Sequence, residues 1–373
     1  MLKKIIKQYP KLTNYLLLTL VILVSGMLFY KIISWEVIVS ENGQEKYSIL
    51  DKVIHKVRCN DERNIRLREL KPNAKYYRQP PRQYPTLENK KYLLQTDSNG
   101  FIAPALINKN PDLQIFFLGG STTECEMVDE KYRFPYLVGR ILEDRLKIKV
   151  NSDNGAKSGN NSLHSINILL NKLIPFNPDI VVMMHNINDL STLFYEGTYW
   201  NKNKVIAPIA CDLKNKSKYV KQDQWSINKN WQHRVLNDPQ QSEKMIEDFQ
   251  QNLKIFINIA KAKKITPVLM TQANRIESDP DFTNERGKEA SKLYQQQYVK
   301  FNQAIRDVAK QENILLIDLA KLIPADEKYI YDVVHFNQAG SELVANEIAK
   351  SLIDFINKQK VTKKIKANKF KLK

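Results

Sequence analysis

The chain is poor in the residues that build covalent or metal-held frameworks. Its 373 residues include three cysteines, Cys59, Cys125 and Cys211, widely separated in sequence. So sparse and odd a set lays out no disulfide framework, and it lacks the close Cys-x-x-Cys spacing of a metal or redox site. A single bridge is compatible with a domain outside the cytoplasm, and cysteine usage says no more. Histidine is scarce as well, with five in the chain, so any acid–base chemistry has few bases to draw on. Repeats and low-complexity tracts are missing before the lysine-rich end, which sets repeat architectures aside. Positive charge is plentiful, with a formal net charge of +18, but lysine and arginine are spread along the chain. They lack the clustered aromatic interleaving of a single-strand binder, and nucleic acid is not an expected partner. An apolar content of 43% is ample for a sizeable core and excludes disorder as the overall state.

What is present begins with a membrane signal. Lys3, Lys4, Lys7 and Lys11 precede a charge-free run from Leu12 to Tyr30, closed by Lys31. As a helix this run reaches about 28 Å, close to the ~30 Å of a bilayer's hydrocarbon core. It ends in Met27-Leu28-Phe29-Tyr30, unlike the small residues of a signal-peptidase site, and no lipidation cysteine follows. A retained anchor is therefore expected, with residues 1–11 cytoplasmic, 12–30 spanning the membrane and the rest on the far side. Residues 31–110 follow as a stalk or a segment that wraps onto the main domain, polar, basic and interrupted by Pro72, Pro80, Pro81 and Pro85. At the other end, residues 358–373 carry eight lysines, expected as a solvated tail or one that lies on anionic lipid or an acidic polymer.

From residue 111 short apolar runs alternate with amphipathic helices. Ile115–Leu118, a short segment near Ile148–Val150, Ile180–Met184, Pro267–Met270 and Ile314–Ile317 read as strands. Helical periodicity marks residues 133–146, the stripe Leu163, Ile166, Leu169 and Leu170, the stripe Ile246 to Ala260, the stripe Leu293 to Val308, and a closing helix through Leu343 and Phe355. Five strands alternating with helices predict a parallel, doubly wound α/β sheet covered on both faces, over residues 111–357. One interval, 190–240, breaks the rhythm and is far longer than an ordinary βα loop. It holds Trp200, Trp225 and Trp231, which either form a sugar-stacking groove or make a small satellite core under a long loop.

In an open parallel sheet, ligands bind beyond the carboxyl ends of the strands. The residues expected there are Gly119-Gly120-Ser121-Thr122-Thr123-Glu124, then Asn154-Gly155-Ala156-Lys157-Ser158-Gly159-Asn160, then His185-Asn186-Ile187-Asn188-Asp189, and finally Asp332-Val333-Val334-His335 before the last helix. A Ser, a Gly, an Asn and a His thus fall in order at four sites on one edge. This order resembles the SGNH (GDSL-like) serine hydrolases, whose four blocks supply those residue types. Each block alone is weak; four in order are specific. Two departures are visible: Gly120 stands where the family's aspartate precedes the serine, and Asn186 stands where a glycine is usual before Asn188-Asp189.

The resemblance implies a flavodoxin-like three-layer α/β/α sandwich and a serine esterase. A serine hydroxyl needs an adjacent base to become a nucleophile. Ser121 follows a glycine pair that permits a tight turn into a helix start, although a simple capping serine would look the same. His335 is the expected base and Asp332 its orienting partner, with His185 as the one serious competitor. Ser121 and Gly159 would offer backbone N–H groups to the oxyanion and Asn188 its amide, with Gly155 as an alternative to Gly159. Cys125, one turn after Ser121, reads as a small buried filler and not a thiol nucleophile. The mechanism requires neither a metal nor an organic cofactor. Short acyl esters, often acetyl groups on carbohydrate, are what the family implies; an extracytoplasmic location makes a cell-envelope or exported glycan the expected partner. An O-acyltransferase that passes the acyl group to a sugar, and a catalytically silent glycan-binding module, are the alternatives.

Overall fold

The computed structural model describes residues 38–39, 64–81, 83–201, 206–210 and 239–371. The expected membrane span at 12–30, Trp225 and Trp231, and Cys59 and Cys211 lie outside these residues. Among the described residues no helix is long and apolar enough to cross a membrane.

The centre is a five-stranded, all-parallel sheet built from β5 (Leu113–Gly119), β6 (Val150–Asn154), β7 (Ile180–Met184), β9 (Thr266–Met270) and β10 (Leu315–Ile317), in the spatial order β10-β9-β7-β5-β6. The first of these strands lies between the second and the third, which makes β5 and β7 the switch point of a doubly wound sheet. Side chains alternate between two buried faces. Phe116, Leu118, Val181, Met183 and Leu269 face one cluster, completed by α3 (Ser162–Ile168), α4 (Ile187–Glu196), α5 (Pro239–Ala262) and α7 (Lys288–Gln311). Ile115, Phe117, Val182, Met184 and Val268 face the other, completed by α2 (Phe134–Leu146) and α9 (Gln338–Lys371). The lysine-rich end expected as a separate tail is thus helical as far as Lys371.

The strand expected near Ile148–Val150 runs instead over Val150–Asn154. Its Asn-Ser-Asp-Asn sequence carries no hydrophobic signal, yet all five residues are buried. They are tolerated because each polar side chain is paired: Ser152 Oγ donates to the Pro135 carbonyl at 2.5 Å, Asp153 accepts from Leu106 N and Gln114 Nε2 at 2.6 Å each, and Asn154 Nδ2 donates to the Thr123 carbonyl at 2.8 Å.

The segment before residue 111 packs against this edge. β1 (Ile38–Val39), β3 (Lys75–Arg78) and β4 (Tyr92–Gln95) form a small sheet, and Ile102 bridges to Asn154 at the end of β6. β2 (Asn64–Ile65) pairs antiparallel with β8 (Ile209–Ala210) from the long interval. The buried Arg133, at the start of α2, holds the wrap in place by donating to the Leu93 carbonyl at 2.7 Å and the Ala103 carbonyl at 3.2 Å. The remaining helices, α1 (Ser121–Glu124), α6 (Pro280–Arg286) and α8 (Leu319–Leu322), are short.

Candidate active site

β5 delivers Ser121 through a tight Gly119-Gly120 turn. A Cβ on Gly119 would lie 2.2 Å from Thr123 Oγ1 and 2.9 Å from the Met184 carbonyl; one on Gly120 would lie 2.2 Å from Asn188 Nδ2. The family's aspartate would therefore collide with Asn188, unless that side chain moved. Ser121 opens α1, which is a single turn closed by Cys125 in the left-handed region at φ 56°. So short a helix supplies free backbone N–H groups rather than a macrodipole.

His335 comes in from the loop before α9. Its Nε2 lies 2.7 Å from Ser121 Oγ, and its Nδ1 lies 2.6 Å from Asp332 Oδ2. Asp332 is itself fixed, because its Oδ1 accepts the backbone N–H groups of Val334 at 2.9 Å and His335 at 2.8 Å. The Tyr331 ring stacks on the imidazole with centroids 5.7 Å apart and planes inclined by 18°. Burial pulls the imidazole pKa down, but the charge of Asp332 and its hydrogen bond more than offset this, and the group titrates above its ordinary value. Burial likewise pushes Asp332 up, and His335 with the two backbone donors holds it below the usual carboxylate range. A carboxylate facing Nδ1 favours the tautomer that carries its proton there, leaving the Nε2 lone pair for the serine proton.

The oxyanion candidates sit on the loops beside this line. Asn188 Nδ2 donates to the Asn160 carbonyl at 2.8 Å and lies against Gly120, so one amide hydrogen fixes the group while the other is left over. Gly159 adopts φ +76°, where an added Cβ would also lie 3.3 Å from the Arg68 guanidinium. Gly155 drops out as an alternative, since its N–H is spent on the Phe117 carbonyl at 2.9 Å. Asn186 does not need to be glycine. At φ −167° its backbone stays out of the left-handed region that favours glycine, and its Nδ2 donates to the Tyr298 carbonyl and Asn302 Oδ1 at 3.0 Å each.

His185 belongs to a second Ser–His–Asp line. Ser165 Oγ lies 2.7 Å from its Nε2, and Asp189 Oδ2 lies 3.6 Å from its Nδ1. All three residues are buried, and burial drives the imidazole down to about 3, so the ring stays neutral and out of reach of substrate. Cys125 is buried too, its thiol pushed up to about 12 by burial, which removes it as a nucleophile at neutral pH. Trp200 is 63% exposed and packs edge-on against Tyr199, with centroids 6.4 Å apart.

Beyond the geometry stands a sequence match. The profile of the GDSL-like lipase/acylhydrolase family fits residues 117–343, from the end of β5 into α9. The chain belongs to that family. It is an ester-hydrolysing serine hydrolase on a parallel α/β sheet of SGNH type. No curated protein matches the chain. Among solved structures it is similar to an acetylxylan esterase from Geobacillus stearothermophilus, at 16% identity and TM-score 0.42 over 64% of this chain and 94% of that one. It is similar also to a putative GDSL-like lipase from Parabacteroides merdae, at 15% identity and TM-score 0.43 over 66% of this chain and 97% of that one. A third is the lipase Lip_vut3 from a goat rumen metagenome, at 16% identity and TM-score 0.44 over 64% of this chain and 97% of that one.

Two residues at this GDSL-like site carry little or no signal in the sequence. Glu124, one turn after Ser121, is buried and accepts from both the N–H and the hydroxyl of Ser158. Burial, with Glu126 nearby, raises its pKa. Gln272 Nε2 donates to Thr122 Oγ1 at 2.6 Å, while its Oε1 accepts from Ile187 N at 3.1 Å, tying the serine turn to the start of α4. A Ser-x-x-Glu spacing is the one hint toward Glu124; nothing local marks Gln272.

Proposed function

We propose that the chain removes short acyl groups, O-acetyl above all, from a carbohydrate of the cell envelope or an exported polysaccharide, using Ser121, His335 and Asp332. The hydrogen-bonded line from Ser121 Oγ through His335 to Asp332 is the observation that carries this. His335 takes the serine proton as Oγ attacks the ester carbonyl, and Asp332 stabilises the imidazolium that forms. The Ser121 and Gly159 backbone N–H groups and the free Asn188 amide hydrogen would take up the tetrahedral oxyanion. His335 then protonates the leaving alcohol, and a water activated by the same ring releases the acyl group.

A polar alcohol suits the surroundings better than a lipid chain. Among the described residues, the exposed large apolar side chains, such as Ile65, Ile107, Trp200 and Val299, all lie off the loops that bear Ser121, Gly159, Asn188 and His335. Beside His335 stand the buried Tyr331, the half-buried Tyr84 edge-on to it at 5.0 Å, and the Arg78–Glu126 ion pair at 3.1 Å. A half-buried ring next to charged donors and acceptors fits a sugar. The lysine-flanked run 12–30 supports an anchored, extracytoplasmic enzyme.

The test is hydrolysis of 4-nitrophenyl acetate by the full-length chain, alongside Ser121→Ala and His335→Ala. Both substitutions should abolish turnover, and equal activity in all three proteins would sink the mechanism. Acetate release from an O-acetylated polysaccharide, set against 4-nitrophenyl palmitate, decides the acceptor. Faster turnover of palmitate would overturn the carbohydrate assignment.

A further inference from the structure

We propose that Arg68, which lies outside the stretch shared with the family, is a positioning residue for the reaction, fixing the Ser158–Gly159 peptide through its two carbonyls while Glu124 holds the Ser158 N–H and hydroxyl. The inference rests on the reading of Gly159 as an oxyanion donor. Arg68 Nη1 donates to the Gly159 carbonyl at 2.8 Å and Nη2 to the Ser158 carbonyl at 3.2 Å. The return contact is equally specific, since Asn160 Nδ2 donates to the Arg68 carbonyl at 2.9 Å. Next along the loop, Lys157 Nζ donates to the Glu69 carbonyl at 2.9 Å, and Glu69 pairs with Lys172 at 2.5 Å. Glu124 in turn takes the N–H and hydroxyl of Ser158. The loop that bears Gly159 is therefore gripped between a cation and a carboxylate.

The chemistry explains why a guanidinium is placed here. The Ser158 carbonyl and the Gly159 N–H belong to one peptide unit, so a charge-assisted bond at the oxygen polarises the N–H at the other end. Glycine in the left-handed region has the most conformational freedom to lose, and an oxyanion donor must be in place before the reaction. Arg68 is only 7% exposed, and its Nε is buried without a partner. Among the described residues no carboxylate pairs with it directly. A cation buried for packing alone would be replaceable by an apolar side chain at no loss. One that spans two adjacent carbonyls is not replaceable by lysine, whose single ammonium lacks the fork.

The experiment measures kcat and KM for 4-nitrophenyl acetate with the full-length chain and its Arg68→Ala, Arg68→Lys and Asn188→Ala forms. Arg68→Ala should lose roughly 10- to 100-fold in kcat with KM within about twofold, part of what removal of a whole donor costs. Free guanidinium, kept well below unfolding concentrations, should restore turnover to Arg68→Ala and not to Asn188→Ala, and Arg68→Lys should stay slow. A wild-type kcat in Arg68→Ala, or a loss that guanidinium leaves in place, overturns the proposal. If the alanine form does not fold, Arg68→Gln takes its place: lowered kcat at unchanged KM supports the clamp and a wild-type kcat overturns it. Full activity in Asn188→Ala would mean that the oxyanion reading itself had failed; a slow Asn188→Ala beside a wild-type Arg68→Ala would mean that only the clamp had.

Discussion

Replacing Asp332 by asparagine tests the site at its most constrained point. The carboxylate makes three bonds: Oδ2 to His335 Nδ1 at 2.6 Å, and Oδ1 to two backbone N–H groups at 2.8 and 2.9 Å. An asparagine oxygen can keep the two backbone bonds, which leaves its NH₂ facing Nδ1. The ring must then carry its proton on Nε2, 2.7 Å from Ser121 Oγ, where it donates to the serine instead of accepting from it. Loss of the correct tautomer in such a triad costs about 10⁴-fold in kcat, or roughly 5 kcal/mol of barrier. The pH profile adds a second signature. In the wild type, Asp332 makes the largest upward contribution to an imidazole that burial otherwise pulls down. Turnover needs the neutral ring, so wild-type kcat/KM falls as pH drops through the raised pKa. In Asp332→Asn that contribution is gone, and the acid limb of the residual activity moves to lower pH. Rates are read with 4-nitrophenyl acetate across the pH range, with circular dichroism as the control for folding. A variant within tenfold of wild type, or an acid limb that stays or moves up, refutes the reasoning.

Gly120→Ala places a Cβ 2.2 Å from Asn188 Nδ2 and 3.2 Å from the Asn160 carbonyl. It should cost about 10²–10³ in kcat by displacing a donor and about 1–3 kcal/mol of stability by overpacking, read as turnover and chemical denaturation. Ser165→Ala leaves His185 Nε2 buried without its partner, so stability should fall by about 1–3 kcal/mol while kcat and fluorophosphonate labelling hold. Loss of labelling there would mean that the wrong serine has been assigned. His335 has a raised and Asp332 a lowered pKa, so their pairing stabilises the fold most from above the ordinary carboxylate pKa to below the ordinary imidazole value. The Tm advantage of wild type over His335→Ala should therefore shrink as pH rises through the folded imidazole pKa, and again as it falls through that of Asp332. A flat difference in differential scanning calorimetry would count against the ion pair.

The parts of this protein that can be read from sequence are those where one signal serves one purpose. Ile180–Met184 is buried on both faces and is written in apolar residues, so strand and core coincide. β6 defeats the same logic, because its buried polar residues are satisfied by Leu106, Gln114, Thr123 and Pro135, partners that local periodicity does not contain. The Ser121 and His335 line is legible because four short blocks in order stand at strand ends. Arg68 is illegible for the converse reason: it meets Gly159 across 91 residues, from a segment whose composition says only that it is polar and basic.

The two Ser–His–Asp lines show what geometry must add to a residue set. Ser121–His335–Asp332 and Ser165–His185–Asp189 use the same three side chains, and both keep the serine 2.7 Å from Nε2. They differ at the acid. Asp332 bonds Nδ1 at 2.6 Å and titrates low because His335 is its partner. Asp189 stands 3.6 Å from Nδ1 and is raised to about 6 by burial, with Ser162 and Tyr199 taking its oxygens. The first carboxylate can support an imidazolium as it forms; the second is already committed to a hydroxyl network that knits α3 to α4. The same helix has a second anchor, for α4 opens with Asn186 bonded to Asn302 and, two residues later, carries Asn188. Had Asn186 been the family's usual glycine, α4 would lose that anchor to α7, and its start would rest on Gln272 at Ile187 N, the Ser191–Tyr294 bond and the Asn160 carbonyl at Asn188. The departure visible in the sequence is, in the fold, a brace for the start of the helix that carries Asn188, the side chain proposed as an oxyanion donor.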